Sequence, residues 1–177
     1  PSNAIKLCRF ENMEKPVILI IGGSTGSRAI NTAIRDLLPE LLKRYNIIHL
    51  CGKGNLDETL KDTDGYAQFE YANKELADMF ALASLVISRA GANAICELLA
   101  LHKPNILIPL SAAASRGDQI LNATSFRSSG YSYVLEEEAV TNTALLEAID
   151  HVFSHKERYV EAMEKSNGTN SIAAIVS

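Results

Sequence analysis

The regular structure of this chain opens with an apolar run, Val17-Ile-Leu-Ile-Ile21, which ends at Gly22-Gly23. A continuous apolar run of this length is typical of a β-strand that is buried on both faces of a sheet. The residues that follow place Ile30, Ile34 and Leu37 at helical spacing. A buried strand followed by an amphipathic helix predicts the first unit of a parallel α/β sheet.

The same alternation continues along the chain. Further strands are predicted at 47–51, 68–71, 85–88, 105–109 and 131–135. Helices are predicted at 30–45 with a kink or break at Pro39, and at 56–61, 75–84, 92–101, 118–128, 141–153 and 157–165, with Gly130 as a C-terminal signal and Thr141 as an N-cap. This alternation predicts an α/β fold with a Rossmann-like, doubly wound parallel sheet of about six strands in the order 3-2-1-4-5-6. Such sheets bind ligands beyond the carboxyl ends of their strands, near strands 1 and 4.

Length and composition indicate one globular domain. The chain has 177 residues, a net charge of −4 and 47% apolar residues. We expect a domain at 15–177, preceded by a tag remnant or linker at 1–14, because Ser2-Asn3-Ala4 is typical of the scar left by cleaving an expression tag. Natural residues at these positions are the alternative. The charge balance argues against a nucleic-acid partner, and neither a signal peptide nor a membrane span is predicted.

Cysteine and histidine usage favours no metal site. Cys8, Cys51 and Cys96 lie far apart, and apolar neighbours predict that Cys51 and Cys96 are buried thiols in a reducing cytosol. His151 and His155 have a ligand-like spacing but no accompanying Cys or carboxylate cluster, which predicts a surface pair on a helix. The D-x-D triplet at 62–64 precedes a glycine and predicts a solvated turn.

Small residues follow two of the predicted strands. The loops at 22–28 and 89–94 each lead into a helix N-terminus, whose free N–H groups and positive dipole end attract anions. Ser24 and Thr25 add hydroxyl donors to the first loop. Two such loops at the switch point predict a diphosphate site that needs no metal.

The first loop matches one other known motif and fails to match two more. It contains neither the dinucleotide pattern G-x-G-x-x-G nor the Gly-Lys-Ser/Thr of a P-loop. It does match G-x-S-x-G at 22–26, the nucleophile elbow of α/β-hydrolases, with Asp118 and His151 or His155 in the corresponding chain order. The elbow normally follows several strands, whereas this loop follows the first. A serine hydrolase remains an alternative.

Several motifs together resemble one family. They are Gly-Gly-Ser-Thr-Gly-Ser-Arg-Ala-Ile-Asn at 22–31, Ile-Ser-Arg-Ala-Gly-Ala-Asn-Ala-Ile-Cys-Glu at 87–97, Leu-His-Lys-Pro-Asn-Ile-Leu-Ile-Pro-Leu at 101–110 and Ser-Arg-Gly-Asp-Gln-Ile-Leu-Asn-Ala at 115–123. In this order they resemble the C-terminal half of the MurG family of GT-B glycosyltransferases, which add N-acetylglucosamine to a lipid-linked peptidoglycan precursor. The resemblance runs from about Lys15 to the C-terminus.

The resemblance implies a donor site for UDP-N-acetylglucosamine and no cofactor. It implies diphosphate contacts by Ser24, phosphate and sugar contacts by the amides that open the fourth helix, ribose contacts by Glu97 and sugar contacts by Gln119. The full set of substrate-binding candidates is Gly23, Ser24, Thr25, Gly26, Asn73, Gly91, Ala92, Asn93, Ala94, Glu97, Asp118 and Gln119.

Two positions depart from the family pattern. Asp118-Gln119 stands where many relatives have two glutamines, so Asp118 is predicted either to contact the sugar or to cap its helix. Ala72-Asn73 stands where many have an aromatic-aliphatic pair beside the uracil, which leaves base contacts at Asn73 open.

The resemblance also implies partners outside this chain. The acceptor, lipid I, the general base and the main membrane-contact patch belong in the family to an N-terminal domain, and the enzyme works as a peripheral protein on the cytoplasmic face of the bacterial inner membrane. The fragment itself is expected to be soluble and to turn the donor over poorly. A stand-alone subunit of a split glycosyltransferase and, less well matched, a UDP-sugar epimerase are the remaining alternatives.

Overall fold

A computed structural model describes residues 8–22, 27–111 and 116–166. Its six-stranded sheet has the order β3-β2-β1-β4-β5-β6, which confirms the predicted doubly wound topology. The strands are β1 Val17–Ile21, β2 Asn46–Leu50, β3 Tyr66–Phe69, β4 Leu85–Ser88, β5 Asn105–Leu107 and β6 Tyr133–Val134. The pairs β1–β2, β2–β3 and β5–β6 are parallel.

Six α-helices lie within the described ranges. They are α1 Arg28–Leu41, α2 Leu76–Leu82, α3 Ala92–Ala100, α4 Asp118–Ser128, α5 Asn142–Ser154 and α6 Lys156–Ser166, with short 3-10 helices at Glu58–Leu60 and Glu137–Ala139. The predicted N-cap of α5 is confirmed, because the Thr141 hydroxyl accepts a hydrogen bond from the Ala144 amide.

The first helix differs from its prediction at its C-terminal end. Pro39 does not break α1, which continues through it to Leu41. The proline lacks only its own N–H donor, and the helix ends two residues later, so few further hydrogen bonds are lost. Residues 42–44 form turns, and the predicted extension to Tyr45 is therefore wrong.

Two other predictions needed correction. The polar helix predicted at 56–61 is only the 3-10 turn Glu58–Leu60, because the Asp57 carboxylate accepts hydrogen bonds from the Thr59 amide and hydroxyl and holds a local turn. The third strand begins at Tyr66, two residues earlier than predicted. Gly65 with φ +85° makes the turn that precedes it, a conformation that favours glycine, and a Cβ there would lie tightly against the side chains of Leu42 at 3.2 Å and Asn46 at 3.3 Å.

The end of α4 was predicted correctly from Gly130. This glycine has φ +80°, its amide donates to the Arg127 carbonyl, and the Tyr131 amide donates to the Phe126 carbonyl. These two bonds form a Schellman motif. The rings of Phe126 and Tyr131 then meet edge to face with centroids 5.2 Å apart, which supplies the apolar contact of the motif.

The chain divides into two compact units, Pro1–Val86 and Ile87–Ser177, here called unit 1 and unit 2. Unit 1 contains a buried polar network on β2. His49 is fully buried, with Nδ1 2.7 Å from the Tyr66 hydroxyl and Nε2 2.8 Å from Asn31 Oδ1. Burial, and secondarily the Arg35 charge, lower the pKa of His49 to about 3. The histidine is therefore neutral at physiological pH.

The hydrogen bonds of this network can all be made at once if each group donates to the next, starting from Arg35. Arg35 donates to the Tyr66 hydroxyl at 3.3 Å, that hydroxyl can donate to His49, and His49 can donate to Asn31. The Asn31 amide group then donates to the Cys51 carbonyl at 2.9 Å. This chain of hydrogen bonds ties α1 to the carboxyl end of β2.

Residues before β1 also pack on unit 1. Cys8 and Phe10 are buried, and the Asn46 amide group donates to the Asn12 carbonyl at 2.7 Å. Burial raises the pKa of the Cys8 thiol to about 11. Two cysteines were predicted to be buried. The prediction is confirmed for Cys51 and is wrong for Cys96, which is half-buried.

Candidate functional site

The described part of the predicted site centres on the start of α3 in unit 2. Gly91 is the N-cap of α3 and provides no side-chain hydrogen bond to it. An α-helix leaves its first amides without intrahelical acceptors, and no hydrogen bond among the described residues uses those of Ala92, Asn93 and Ala94. Ala92 and Asn93 are exposed. The helix start therefore offers amide donors and a positive dipole end to an anion.

Gln119 braces the loop that leads into α3. Its side-chain oxygen accepts hydrogen bonds from the Ala90 amide at 3.2 Å and from the Leu110 amide at 3.0 Å. Both partners are donors, so the amide orientation is fixed by its surroundings. Gln119 thus links the loops after β4 and β5, and among the described residues no acceptor uses its Nε2, which could donate to a ligand.

Two residues that sequence reasoning did not select complete the brace. Asn122 donates from Nδ2 to the Ala90 carbonyl at 2.9 Å, so both backbone groups of Ala90 are held by α4. Arg89 is buried, donates to the Ile108 carbonyl at 3.1 Å and pairs with Glu137 at 3.1 Å. The sequence did contain one indication of the Asn122 contact: Gln119 and Asn122 are three residues apart, which places them on the same face of a helix.

Gly91 leaves space beside Gln119. Its φ of −68° and ψ of 152° suit any residue, so the backbone does not require glycine here. A Cβ built at Gly91 would lie 3.7 Å from Gln119 Nε2, which is an ordinary contact. A side chain at position 91 would consequently occupy the space next to the Gln119 NH2 group, which has no acceptor within 8–22, 27–111 or 116–166.

The two predicted carboxylates are both exposed. Glu97 lies on α3, one turn beyond its first residues. Asp118 is the first residue of α4, whereas the N-cap is Gly117 with φ +84°, and no side-chain cap bond forms. The alternative that Asp118 caps its helix is therefore wrong. Its carboxylate still interacts favourably with the helix dipole.

Asn73 lies in unit 1 and is exposed. Its amide donates to a Glu75 carboxylate oxygen at 3.2 Å, and its carbonyl accepts from the Leu76 amide at 3.2 Å. Both backbone groups that could read a base therefore already have partners in the turn before α2. The remaining candidates, Gly23, Ser24, Thr25 and Gly26, lie outside the described residues, as does the serine of the hydrolase alternative.

The part of the chain that the structure describes shows neither a metal-ligand cluster nor a membrane-spanning helix. No cluster of three or more His, Cys, Asp or Glu side chains there is arranged to hold a metal ion. None of the helices has both the length and the apolar character needed to cross a membrane.

The strand order and the site together define the class of protein. It is a Rossmann-like α/β domain in which the loop after β4 is held by hydrogen bonds and leads into the N-terminus of α3. Comparison with known proteins then gives the family. The chain belongs to the family described as "Glycosyltransferase family 28 C-terminal domain", which matches residues 17–176.

Relatives of known name agree with this assignment. The UDP-N-acetylglucosamine--N-acetylmuramyl-(pentapeptide) pyrophosphoryl-undecaprenol N-acetylglucosamine transferase of Lachnoclostridium phytofermentans is 60% identical over 161 residues, which are 91% of this chain and 45% of the relative. The protein of the same name from Clostridium novyi is 55% identical over 172 residues, 97% of this chain and 48% of the relative. The chain thus spans about half the length of these relatives.

A solved structure supports the fold independently. The crystal structure of MurG from Acinetobacter baumannii superposes with a TM-score of 0.66 and 24% identity, over 93% of this chain and 51% of that one. This likeness extends the agreement from sequence to three-dimensional architecture.

Proposed function

We propose that this chain is the donor-binding half of an inverting N-acetylglucosaminyltransferase that uses UDP-N-acetylglucosamine and converts lipid I to lipid II in peptidoglycan synthesis. The observation that carries the proposal is the 55–60% identity, over nearly the whole chain, to relatives named for this transfer. The amides at the start of α3 support the proposal, because a diphosphate requires hydrogen-bond donors of this kind.

We assign the diphosphate to the α3 N-terminus. The amides of Ala92, Asn93 and Ala94 would donate to its oxygens, together with Ser24 and its neighbours Gly23, Thr25 and Gly26. The loop before α3 is braced by Gln119, Asn122 and Arg89, so the donors are held in place before the ligand arrives. Preorganised donors of this kind stabilise charge that develops during a reaction.

Polar side chains are assigned to the two sugars of the donor. Glu97 would accept hydrogen bonds from the ribose hydroxyls, since a carboxylate can bind a diol through both oxygens. Gln119 would act only as a donor, from Nε2 to an N-acetylglucosamine hydroxyl, because its oxygen is taken by two backbone amides. Asp118 is a further candidate for the sugar hydroxyls.

In the proposed reaction the acceptor C4 hydroxyl oxygen attacks the anomeric carbon of N-acetylglucosamine. The bond from that carbon to the diphosphate oxygen breaks, and UDP leaves with the electron pair. The hydroxyl proton passes to a general base in the part of the relatives that this chain does not span. The helix dipole and the α3 amides would lower the barrier by stabilising the departing diphosphate.

The acceptor and the membrane contact are assigned to the other half as well. A lipid-linked acceptor requires the whole enzyme to work at a membrane surface, and we place it on the cytoplasmic face of the inner membrane as a peripheral protein. Because two halves must close to complete a site of this type, the chain alone is proposed to bind the donor without transferring its sugar efficiently.

Calorimetric titration tests the donor assignment. We expect saturable binding of UDP-N-acetylglucosamine that is tighter than binding of UDP-glucose or UDP-N-acetylgalactosamine. Glu97→Ala should weaken it by about tenfold, the value of one charge-assisted hydrogen bond. Glu147→Ala removes an exposed carboxylate from α5 and serves as the matched control. Equal affinity of the two variants for the donor would contradict the role given to Glu97.

A further inference from the structure

A groove in unit 2 lies outside the proposed donor site. We call it the edge groove, because its wall includes β6, the last strand in the sheet order. It has a volume of about 400 Å³. Its polar lining residues include Arg127 from α4, Ser132 and Tyr133 around β6, His151 and His155 around the end of α5, and Arg158 from α6.

The described lining of the groove is rich in hydrogen-bond donors and contains no acidic side chain. Its ionisable lining residues are arginine, histidine and tyrosine, and no described carboxylate lines it. The rings of His151 and His155 stack with centroids 4.3 Å apart. Tyr133 packs against His151 with a centroid distance of 5.4 Å. Arginine and histidine beside tyrosine hydroxyls make a surface suited to an anion.

Helix dipoles explain only part of this arrangement. Arg127 and His151 lie in the last turns of α4 and α5, where a positive side chain stabilises the helix. Arg158 instead lies in the first turn of α6, where a positive charge meets the positive end of the helix. The described residues provide no ion pair for either arginine. Within the described residues, neither an ion pair nor the helix dipole offsets the charge of Arg158, so a bound anion would be favoured there.

Two polar groups at the groove have hydrogen-bonding capacity to spare. Ser132 is buried, and its Oγ finds no partner within the described ranges. His155 Nδ1 lies 2.8 Å from the His151 carbonyl and can only donate to it, which leaves Nε2 for another partner. A buried hydroxyl without a partner is rare in folded proteins.

We propose that the edge groove binds the phosphate group of an anionic ligand, with Arg127 and Arg158 as the main contacts. The ligand is either a soluble phosphomonoester or a lipid whose headgroup is a phosphomonoester, such as phosphatidic acid, since both present the same dianionic phosphate. This site shares no residue with the donor site and does not depend on the function proposed for it.

Nuclear magnetic resonance titration of the whole chain with inorganic phosphate provides the first test. We expect saturable shifts at the amides of Gly130, Ser132 and Tyr159. The double variant Arg127→Gln/Arg158→Gln should weaken phosphate binding at least about tenfold, since two charge-assisted hydrogen bonds are lost. Lys156→Gln removes a nearby charge that does not line the groove and should change affinity less than about twofold, as screened surface charges do.

Sedimentation with vesicles distinguishes the two sources of phosphate. Pelleting that requires phosphatidic acid in phosphatidylcholine vesicles, and that the double variant abolishes, assigns a lipid headgroup. Shifts with phosphate but no pelleting assign a soluble ligand. The proposal is overturned if neither probe binds, or if Lys156→Gln weakens binding as much as the double variant. Binding of UDP-N-acetylglucosamine by the double variant, which should be unchanged, shows that the variant is folded and reports separately on the donor site.

Discussion

One side-chain amide, that of Gln119, serves two purposes in this molecule. Its oxygen holds the amides of Ala90 and Leu110, and its nitrogen faces the space left by the absent side chain of Gly91. The two ends of the group can be separated by mutation, because a carboxylate offers the same acceptors and no donor.

Gln119→Glu should therefore keep the fold and lose the ligand. The glutamate accepts from both backbone amides, so we expect the free energy of unfolding to change by less than about 1 kcal/mol. Donor affinity should fall at least about tenfold, since the Nε2 donor is lost and a negative charge faces an anionic ligand. Gln119→Met is the control for the brace and should cost about 1–3 kcal/mol by leaving amides without an acceptor. Urea unfolding and calorimetry measure both effects, and unchanged donor affinity in Gln119→Glu would refute the donor role.

Gly91→Ala tests whether the space beside Gln119 is used. The backbone angles accept alanine and the new Cβ makes only an ordinary contact, so the loss of stability should stay below about 1 kcal/mol. If the donor occupies this space, its affinity falls severalfold or more as the methyl group intrudes. A stable variant that binds UDP-N-acetylglucosamine as the parent does would show that the ligand lies elsewhere.

Among elements, β2 and α1 are joined through the neutral His49. In the unfolded chain this histidine takes up a proton near its ordinary pKa of 6.5, whereas in the folded chain its pKa is about 3. The unfolded state thus binds more protons in the window between these values. The stability associated with neutral His49 is complete above pH 6.5 and is lost as the pH falls below it.

His49→Gln should make stability less sensitive to acid. Between pH 7 and pH 5 the parent chain is expected to lose about 2 kcal/mol more than the variant, because only the parent has this titrating group. Urea unfolding curves at the two pH values provide the comparison. The same loss in both proteins would mean that His49 takes up its proton in the folded chain.

The positions of most helices and strands could be predicted from the sequence, but the side-chain contacts between them could not. The buried run 17–21 and the four residues of β4 are clear in the apolar pattern, and Gly130 and Thr141 mark their helix ends. Pro39 does not break α1 because one proline near a helix end removes few hydrogen bonds, whereas the end of α1 at Leu41 was missed because the apolar spacing continues to Tyr45. The roles of Asn122 and Arg89 depend on side chains meeting across elements distant in the chain, and a single sequence contains no such distances.

The whole chain corresponds to about half of its relatives, and this limits what it is expected to do. With the donor site on this half and the acceptor and base assigned to the other, the isolated chain should bind UDP-N-acetylglucosamine but transfer its sugar to a lipid acceptor at a small fraction of the rate of a full-length relative. A radiolabel transfer assay with matched enzyme concentrations makes the comparison. Robust transfer by the chain alone would place the catalytic base within it.

The assignment of the donor to the start of α3 is tested most directly by mapping UDP-N-acetylglucosamine on the protein with amide chemical shifts. We predict that the largest saturable shifts fall on the amides of Ala92, Asn93 and Ala94 and on the Gln119 side-chain NH2. Saturable shifts confined to other parts of the chain, or no shifts at ligand concentrations that saturate the calorimetric signal, would contradict it.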